Sequence, residues 1–243
     1  MRLPAYGPGR RAAKIRAIFT FAPGGVGWYA WAMTGATPTG DRLSLPTVVH
    51  GPAVTGAARV LLDRDLIARR VAELGQEIAR ELIEEEQRLA ASGLSVSPVV
   101  MVPVLTGAIV FVADLIRAMN TTMTIRPVTV SSYPGKATSS QGATVQHGLP
   151  TDLKAKRVLL VDDILDSGQT LGLLRRLVLA QNPQSLRTIV LLDKQKPGGR
   201  TEEVPIEHAA FQIADDFVIG YGLDYDGKYR NLPDIMTLSE HQA

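Results

Sequence analysis

Three aspartates close together are the residues best suited to chemistry in this sequence. Asp162, Asp163 and Asp166 follow the apolar run Val158–Val161, which predicts a short buried strand. A polar turn after a strand is the simpler interpretation. However, three carboxylates this close repel one another unless a cation or ligand compensates their charge. Carboxylates beside a phosphate usually hold a metal ion or sugar hydroxyls, so the cluster predicts a metal or sugar site.

A loop of small and polar residues follows the acids directly. Ser167, Gly168, Gln169 and Thr170 lead into the apolar, helix-compatible run Leu171–Leu179. Backbone N–H groups of such a loop, together with the helix N-terminus, form an anion site. Glycine lets the backbone approach a ligand closely. The pattern therefore predicts a strand, an acidic turn, a phosphate-binding loop and a helix, in that order.

Alternating strands and helices must position these residues. Apolar runs and helical periodicity predict strands at Arg59–Leu62, Val99–Leu105, Met123–Val130, Val158–Val161, Thr188–Leu192, Ala209–Ile213 and Phe217–Gly222, and helices at Leu66–Ala91, Ala108–Met119 and Thr170–Ala180. This order predicts an α/β fold with a mostly parallel sheet flanked by helices. Ligands in such sheets bind at the carboxyl ends of the strands, where Thr106, Gly107 and Lys194 also lie.

Composition limits the classes of protein that fit. The chain has 243 residues, 45% of them hydrophobic and 21% charged, which is typical of a globular protein. A net charge of +2 requires neither nucleic acid nor a membrane as partner. The absence of cysteine excludes disulfides, thiolate metal sites and a cysteine nucleophile. We expect a cytoplasmic enzyme without a transmembrane helix, because no apolar run reaches about 18 residues.

The chain divides into two regions by composition. Residues 1–57 predict a poorly ordered N-terminal extension, and residues 58–243 predict the folded domain. Basic residues before the apolar run Ala17–Met33 superficially resemble an export signal, but Pro23 and several glycines interrupt the run. A second interpretation is that Met33 is the true initiator and the preceding residues are a start-site artefact.

Two separated stretches carry a resemblance to a known family. Val158–Leu171 resembles the phosphoribosyl-pyrophosphate (PRPP) binding motif of type I phosphoribosyltransferases. Its third acid, Asp166, is similar to that of the hypoxanthine(-guanine) branch. Asp215–Tyr225 resembles the base-binding hood of the same enzymes. The likeness extends from about Val60 to Glu240. It implies a type I phosphoribosyltransferase-like fold with a small hood built from the N- and C-terminal segments.

The resemblance implies a role for each matching residue. For PRPP it implies the binding residues Thr106, Gly107, Asp162, Asp163, Asp166, Ser167, Gly168, Gln169, Thr170 and Arg230. For Mg²⁺ it implies Asp162, Asp163 and Asp224. For the purine it implies Asp166 as proton acceptor of N7, Lys194 on the 6-oxo group, Phe217 stacked on the ring, Val218 with backbone groups on the base edge, and Asp224 at the base or metal. Ser132 and Tyr133 would open a catalytic lid within the long loop Ser131–Pro150.

The sequence departs from the family pattern at two positions. Thr106 and Gln169 stand where some or many members have lysine. A charged contact from Thr106 is therefore not expected, whereas a phosphate loop that binds through backbone amides does not depend on a lysine at position 169.

The implied function is purine salvage. The enzyme would transfer the phosphoribosyl group of PRPP to hypoxanthine, and to guanine, with Mg²⁺ as cofactor. It would act as a homo-oligomer, either a dimer or a tetramer. Two alternatives stay open at this point: a xanthine/guanine-specific enzyme, and a non-catalytic PRPP-sensing regulator on the same fold. The regulator would carry a DNA-binding region or a basic face, and residues 1–57 offer neither convincingly.

Overall fold

The computed structural model describes residues 59–131 and 144–238. The predictions for residues 1–57 lie outside this part of the chain. The elements are β1 Arg59–Leu62, α1 Arg64–Ala91, β2 Val99–Leu105, α2 Ile109–Ala118, β3 Met123–Ile125, β4 Val128–Ser131, β5 Thr144–His147, β6 Arg157–Leu165, α3 Gln169–Leu179, β7 Ser185–Lys194, β8 His208–Ile213, β9 Val218–Ile219 and β10 Ile235–Thr237.

A seven-stranded sheet forms the centre of the described structure. Its strand order is β5-β4-β2-β6-β7-β8, and β3 also pairs with β2. Every pairing in this sheet is parallel except that of β4 with β5. The predicted mostly parallel sheet is therefore confirmed. Parallel neighbours end at the same edge, which brings the residues that follow β2, β6 and β7 together.

The two faces of the sheet carry separate apolar cores. Along β6, Val158 and Leu160 pack on the side of α3, whereas Leu159 and Val161 pack on the side of α1 and α2. All four side chains are fully buried. Burial on both faces explains why the strand is a continuous apolar run rather than an alternating one.

Helix α1 covers one face through an apolar stripe. Its buried residues recur every three or four positions, at Ile67, Val71, Leu74, Ile78 and Leu82. The Asp63 carboxylate caps the helix by accepting hydrogen bonds from two backbone N–H groups of the first turn. The long predicted helix is thus present, and it fixes one face of the sheet beneath the site.

The strand that precedes the acids is longer than predicted. β6 continues to Leu165, so Asp162 and Asp163 lie in its last residues and not in a turn after it. The prediction of an acidic turn was wrong here. Pairing with β7 continues past the acids, with Asp162 opposite Val190, and this tertiary pairing overrides the polar character of the residues.

A proline explains a second difference from the predicted strands. The run predicted as one strand, Met123–Val130, is two strands separated by Arg126 and Pro127. Proline has no N–H to donate to a ladder. Both pieces pair with β2, and Pro103 of β2 lies opposite the break.

Two short strands were not predicted at all. β5 falls within the predicted long loop and pairs antiparallel with β4. β10 pairs with β1 on one side and β9 on the other, forming a three-stranded antiparallel sheet. This small sheet joins the beginning of the described chain to its end. The Arg64 side chain and backbone N–H both donate to the Asp234 carboxylate, at 2.9 to 3.1 Å.

Within the described residues, no helix is long and apolar enough to cross a membrane.

Candidate active site

The carboxyl ends of β2 and β6 open into one cavity of about 330 Å³. Most of the predicted site residues line it: Thr106, Gly107, Asp162, Asp163, Asp166, Ser167, Gly168, Thr170, Asp224 and Arg230. Gln169, Lys194, Phe217 and Val218 are not among the lining residues. The structure therefore brings most of the proposed PRPP residues and all the proposed metal residues together, and of the predicted purine residues only Asp166 and Asp224 line this cavity.

Asp162 and Asp163 form a pair of acids at the end of β6, the first buried and the second half-buried. Asp162 is only 6% exposed, and its carboxylate accepts a hydrogen bond from the Asp163 backbone N–H at 2.9 Å. Burial raises the pKa of Asp162 well above its usual range, and the neighbouring Asp163 charge raises it further. Burial also raises the pKa of Asp163. Because both charged forms are disfavoured, a cation bound between the two carboxylates would stabilise them electrostatically.

Gly107 packs against this pair from the end of β2. A Cβ atom built at Gly107 would overlap the Asp163 carboxylate. The turn at Thr106 and Gly107 can approach the acids only because position 107 carries no side chain. The backbone of this turn and the two carboxylates consequently form adjacent walls of the cavity.

Gly168 gives the predicted phosphate loop its shape. Its φ is +84°, in the left-handed region that favours glycine, and a Cβ atom there would overlap the Glu202 backbone carbonyl. The Glu202 N–H donates to the Ser167 carbonyl at 3.0 Å, which fixes the loop from outside. Helix α3 begins at Gln169 and has no acidic residue in its first turn. Its N-terminus therefore offers unopposed N–H dipoles to an anion in the cavity.

Asp166 faces two lysines. Lys194, the buried last residue of β7, places its Nζ 3.3 Å from Asp166 Oδ2. Lys196, in the loop after β7, places its Nζ 2.6 Å from Oδ1. Burial raises the pKa of Asp166, but the two ammonium groups outweigh burial and hold that pKa below its usual value. Asp166 is thus an ionised acceptor at neutral pH.

Asp224 and Arg230 also line the cavity and contact each other. The Arg230 guanidinium lies 2.7 Å from Asp224 Oδ1 and donates to the Gly222 carbonyl at 2.6 Å. Asp224 Oδ2 accepts the Gly227 N–H at 2.7 Å. The charge of Arg230 also offsets a small part of the rise that burial causes in the pKa of Asp163. Both Asp224 oxygens already have protein partners, unlike those of a free metal ligand.

The predicted hood residues lie at the small sheet. Phe217 is 41% exposed, and its ring packs edge-on against Tyr225 at a centroid distance of 5.5 Å. Val218 is buried in β9. An exposed aromatic ring held by a second ring is suited to stacking on a planar ligand.

Some predicted residues cannot be placed, and some useful ones were missed. Ser132 and Tyr133 lie outside the described residues. Sequence reasoning gave no role to Lys196, Asp215 or Glu202, although each contacts the predicted site through the loop after β7 or the segment before β9. The signal was present in one case, because Lys196 is a second cation only two positions after Lys194.

A separate acidic cluster lies on α1 and β8. His208 Nε2 is 3.1 Å from Glu81, and its Nδ1 is 4.0 Å from Glu77. The two ring nitrogens thus face different carboxylates, and Arg70 and Arg187 lie near the same acids. None of these residues lines the cavity. We interpret the cluster as part of the packing of α1 on β8.

Comparison with known proteins identifies the family to which the chain belongs. The phosphoribosyl transferase domain family matches residues 63–226, which include nearly all the lining residues. The chain belongs to the phosphoribosyltransferase family. The match ends just before Arg230, which the structure nevertheless brings into the same cavity.

The relatives of this phosphoribosyltransferase come from the branch predicted. It is 41% identical over 180 residues to a hypoxanthine-guanine phosphoribosyltransferase of Mycobacterium tuberculosis, covering 74% of this chain and 85% of that protein. It is 38% identical over 174 residues to the hypoxanthine phosphoribosyltransferase of Escherichia coli, covering 72% and 91%. The predicted hypoxanthine(-guanine) branch is therefore confirmed.

Solved structures agree with the fold of the phosphoribosyltransferase. A hypoxanthine phosphoribosyltransferase of Staphylococcus aureus superposes with a TM-score of 0.64 at 34% identity, covering 75% of this chain and 92% of that one. The Trypanosoma cruzi enzyme in complex with its product IMP gives a TM-score of 0.63 at 34% identity, covering 75% and 94%. The predicted type I phosphoribosyltransferase fold is confirmed.

Proposed function

We propose that this enzyme transfers the 5-phosphoribosyl group of PRPP to hypoxanthine, and also to guanine, in purine salvage. The products are the purine nucleoside 5′-monophosphate and pyrophosphate. The observation that carries this function is the arrangement at one sheet edge. An ionised acid, Asp166, sits beside a buried cation, Lys194, next to a cavity with a phosphate loop and paired carboxylates. The relatives named for this reaction support the same function.

In this proposal PRPP occupies the cavity between β2 and β6. The loop Ser167–Thr170 and the N-terminus of α3 hold the 5′-phosphate through backbone N–H groups. Asp162 and Asp163 hold the ribose hydroxyls, directly or through Mg²⁺. The turn at Thr106 and Gly107 and the guanidinium of Arg230 receive the pyrophosphate. Since residue 106 is a threonine, Arg230 supplies the positive side chain on that group.

The purine lies between the small sheet and the end of β7. Phe217 stacks on the ring, and backbone groups of Val218 meet the base edge. Lys194 donates to the 6-oxo group, whereas a 6-amino group would turn N–H donors toward this ammonium and offer it no acceptor on the purine. Asp166 accepts a hydrogen bond from N7–H and stabilises the positive charge that grows on the ring as N9 attacks C1′.

The acid pair fits a magnesium ion. Burial disfavours the charged forms of Asp162 and Asp163, and the Asp163 charge further disfavours that of Asp162. A divalent cation with oxygen ligands relieves both effects. Asp224 would join them only by loosening its contacts with Arg230 and Gly227. When bound, Mg²⁺ neutralises charge on the departing pyrophosphate. The protein positions the reactants, and no covalent intermediate is required.

Removal of the metal tests this part of the proposal. We expect chelation with EDTA to reduce formation of the nucleoside monophosphate at least about a hundredfold, because the leaving group loses its neutralising cation. Addition of excess Mg²⁺ should restore the rate, and addition of K⁺ at equal ionic strength is the control. Full activity in EDTA with no divalent cation present would contradict the assignment of a metal to Asp162 and Asp163.

Three further features stay predictions. We propose that residues 58–243 act as the catalytic domain, that the enzyme is a cytoplasmic homo-oligomer, and that the loop containing Ser132 and Tyr133 closes over the site. Lid closure would exclude water from the reacting C1′ centre.

A further inference from the structure

Four charged side chains form a closed network at the end of β7. Lys194 and Lys196 each contact both Asp166 and Asp215. The Nζ of Lys194 lies 3.3 Å from Asp166 and 3.5 Å from Asp215. The Nζ of Lys196 lies 2.6 Å and 3.7 Å from the same two carboxylates. Two positive and two negative groups alternate, so the network is neutral.

The two lysines are not equivalent. The Lys194 side chain is 8% exposed and belongs to a central strand, whereas that of Lys196 is 28% exposed and belongs to the following loop. Lys194 contacts one oxygen of Asp166, and Lys196 contacts the other. Each oxygen of Asp166 therefore has its own cation, and one cation can leave while the other stays.

The incoming purine requires such an exchange. In the proposed function Lys194 donates to the 6-oxo group while Asp166 faces N7–H. The present 3.3 Å contact between Lys194 and Asp166 would then weaken or break. A half-buried carboxylate that loses its only cation becomes both more mobile and harder to keep ionised. A second cation that does not contact the purine removes this difficulty.

The geometry of Asp166 Oδ1 fits this view. This atom is shielded from water, and Lys196 Nζ lies 2.6 Å from it. Lys194 contacts the other oxygen, Oδ2, so its move to the 6-oxo group frees Oδ2 to accept a hydrogen bond from N7–H. The Lys196 ion pair on Oδ1 remains during this exchange.

We propose that Lys196 is a positioning residue for purine transfer. Its ammonium group holds the Asp166 carboxylate in place while Lys194 exchanges Asp166 for the 6-oxo group of the purine. The inference rests on the proposed function. Asp215 keeps the two lysines near each other from the opposite side.

The charges around Asp166 predict how the pH dependence of kcat/KM changes when Lys196 or Asp215 is replaced. The groups that face it are Lys194 from β7, Lys196 from the following loop and, through these lysines, Asp215 from the segment before β9. Removing Lys196 raises the pKa of Asp166, so the acid limb of kcat/KM moves to higher pH. Removing the negative charge of Asp215 acts in the opposite sense and moves that limb to lower pH. A merely structural role would not give shifts of opposite sign.

The test compares Lys196→Gln with Lys154→Gln, which removes the same charge from an exposed site outside the cavity. For Lys196→Gln we expect kcat/KM for hypoxanthine to fall about tenfold, mainly through a lower kcat. This loss is smaller than the loss of an acid–base group itself would cause. PRPP affinity, measured by calorimetry, should stay within about twofold. Lys196→Arg should retain most of the rate because it keeps the charge. Lys154→Gln should match the wild type.

The outcomes separate the inference from the proposed function. A wild-type enzyme that does not convert hypoxanthine would refute the function itself. An active wild type together with a Lys196→Gln variant of unchanged rate and pH profile would overturn only the role of Lys196. If Lys196→Gln does not fold, the variants Lys196→Arg and Asp215→Asn test the role of Lys196 instead. An acid limb that does not move to lower pH in Asp215→Asn would then contradict the network.

Discussion

Replacing Asp166 with asparagine should abolish most of the turnover while leaving PRPP binding intact. Asparagine keeps the shape of the side chain but can neither take a proton nor carry a negative charge. Its carbonyl oxygen is a weaker acceptor for N7–H than an ionised carboxylate is. We expect kcat for hypoxanthine to fall at least about a hundredfold, the usual lower range for loss of an acid–base group.

The separation of binding from turnover makes this prediction specific. PRPP affinity measured by calorimetry should change by no more than about threefold, since the phosphate loop is held by Glu202 and by the Gly168 backbone, not by the Asp166 side chain. Asp65→Asn, at the exposed first turn of α1, makes the same chemical change outside the site and should keep normal turnover. Near-normal turnover by Asp166→Asn would refute the proposed role of Asp166.

Replacing Asp162 with asparagine should stabilise the protein and inactivate it. Its pKa is raised in the folded state, chiefly by burial and further by Asp163. A carboxyl whose folded pKa exceeds its unfolded pKa contributes stability that is present in full below the unfolded pKa. That contribution is lost as the pH rises through the folded pKa. Above this range the folded wild type carries an unfavourable charge that asparagine lacks, and asparagine can still accept the hydrogen bond from the Asp163 N–H.

Thermal unfolding at two pH values tests whether Asp162→Asn raises or lowers the free energy of unfolding. Without Mg²⁺ and PRPP, the variant should be more stable than the wild type at pH about 8, by at least about 1 kcal/mol, and nearly equal to it at pH about 4. Stabilisation by added Mg²⁺ and PRPP should be lost in the variant together with activity, as is common for residues that trade stability for function. A variant less stable than the wild type at pH 8 would contradict our account of the acid pair.

The sequence predicted those parts of the site that share one strand and its following turn. The acids, the phosphate loop and the start of α3 are consecutive in the chain, so their proximity follows from local structure. Lys194 was also predictable, because it ends a parallel neighbour of β6 and must lie at the same edge. The contact between Lys194 and Asp166 in the structure agrees with that expectation.

Features that depend on distant pairing were less predictable. β10 has three residues and is stabilised by β1 and β9, which come from opposite ends of the described chain. The extension of β6 through its acids depends on pairing with β7. Neither effect leaves a periodic signal in the sequence. The second cation on Asp166 was missed for a related reason, since a lysine in a Gly- and Pro-containing loop is usually a solvated residue.

The measurement that tests the central claim most directly is a panel of bases. Hypoxanthine, guanine, xanthine, adenine and uracil would each be supplied with PRPP and Mg²⁺, and formation of the nucleoside monophosphate followed. Our account predicts efficient use of hypoxanthine, with adenine poorer by about four orders of magnitude because its 6-amino group presents a donor to Lys194 where hypoxanthine presents an acceptor. Use of adenine or uracil without any use of hypoxanthine would contradict it.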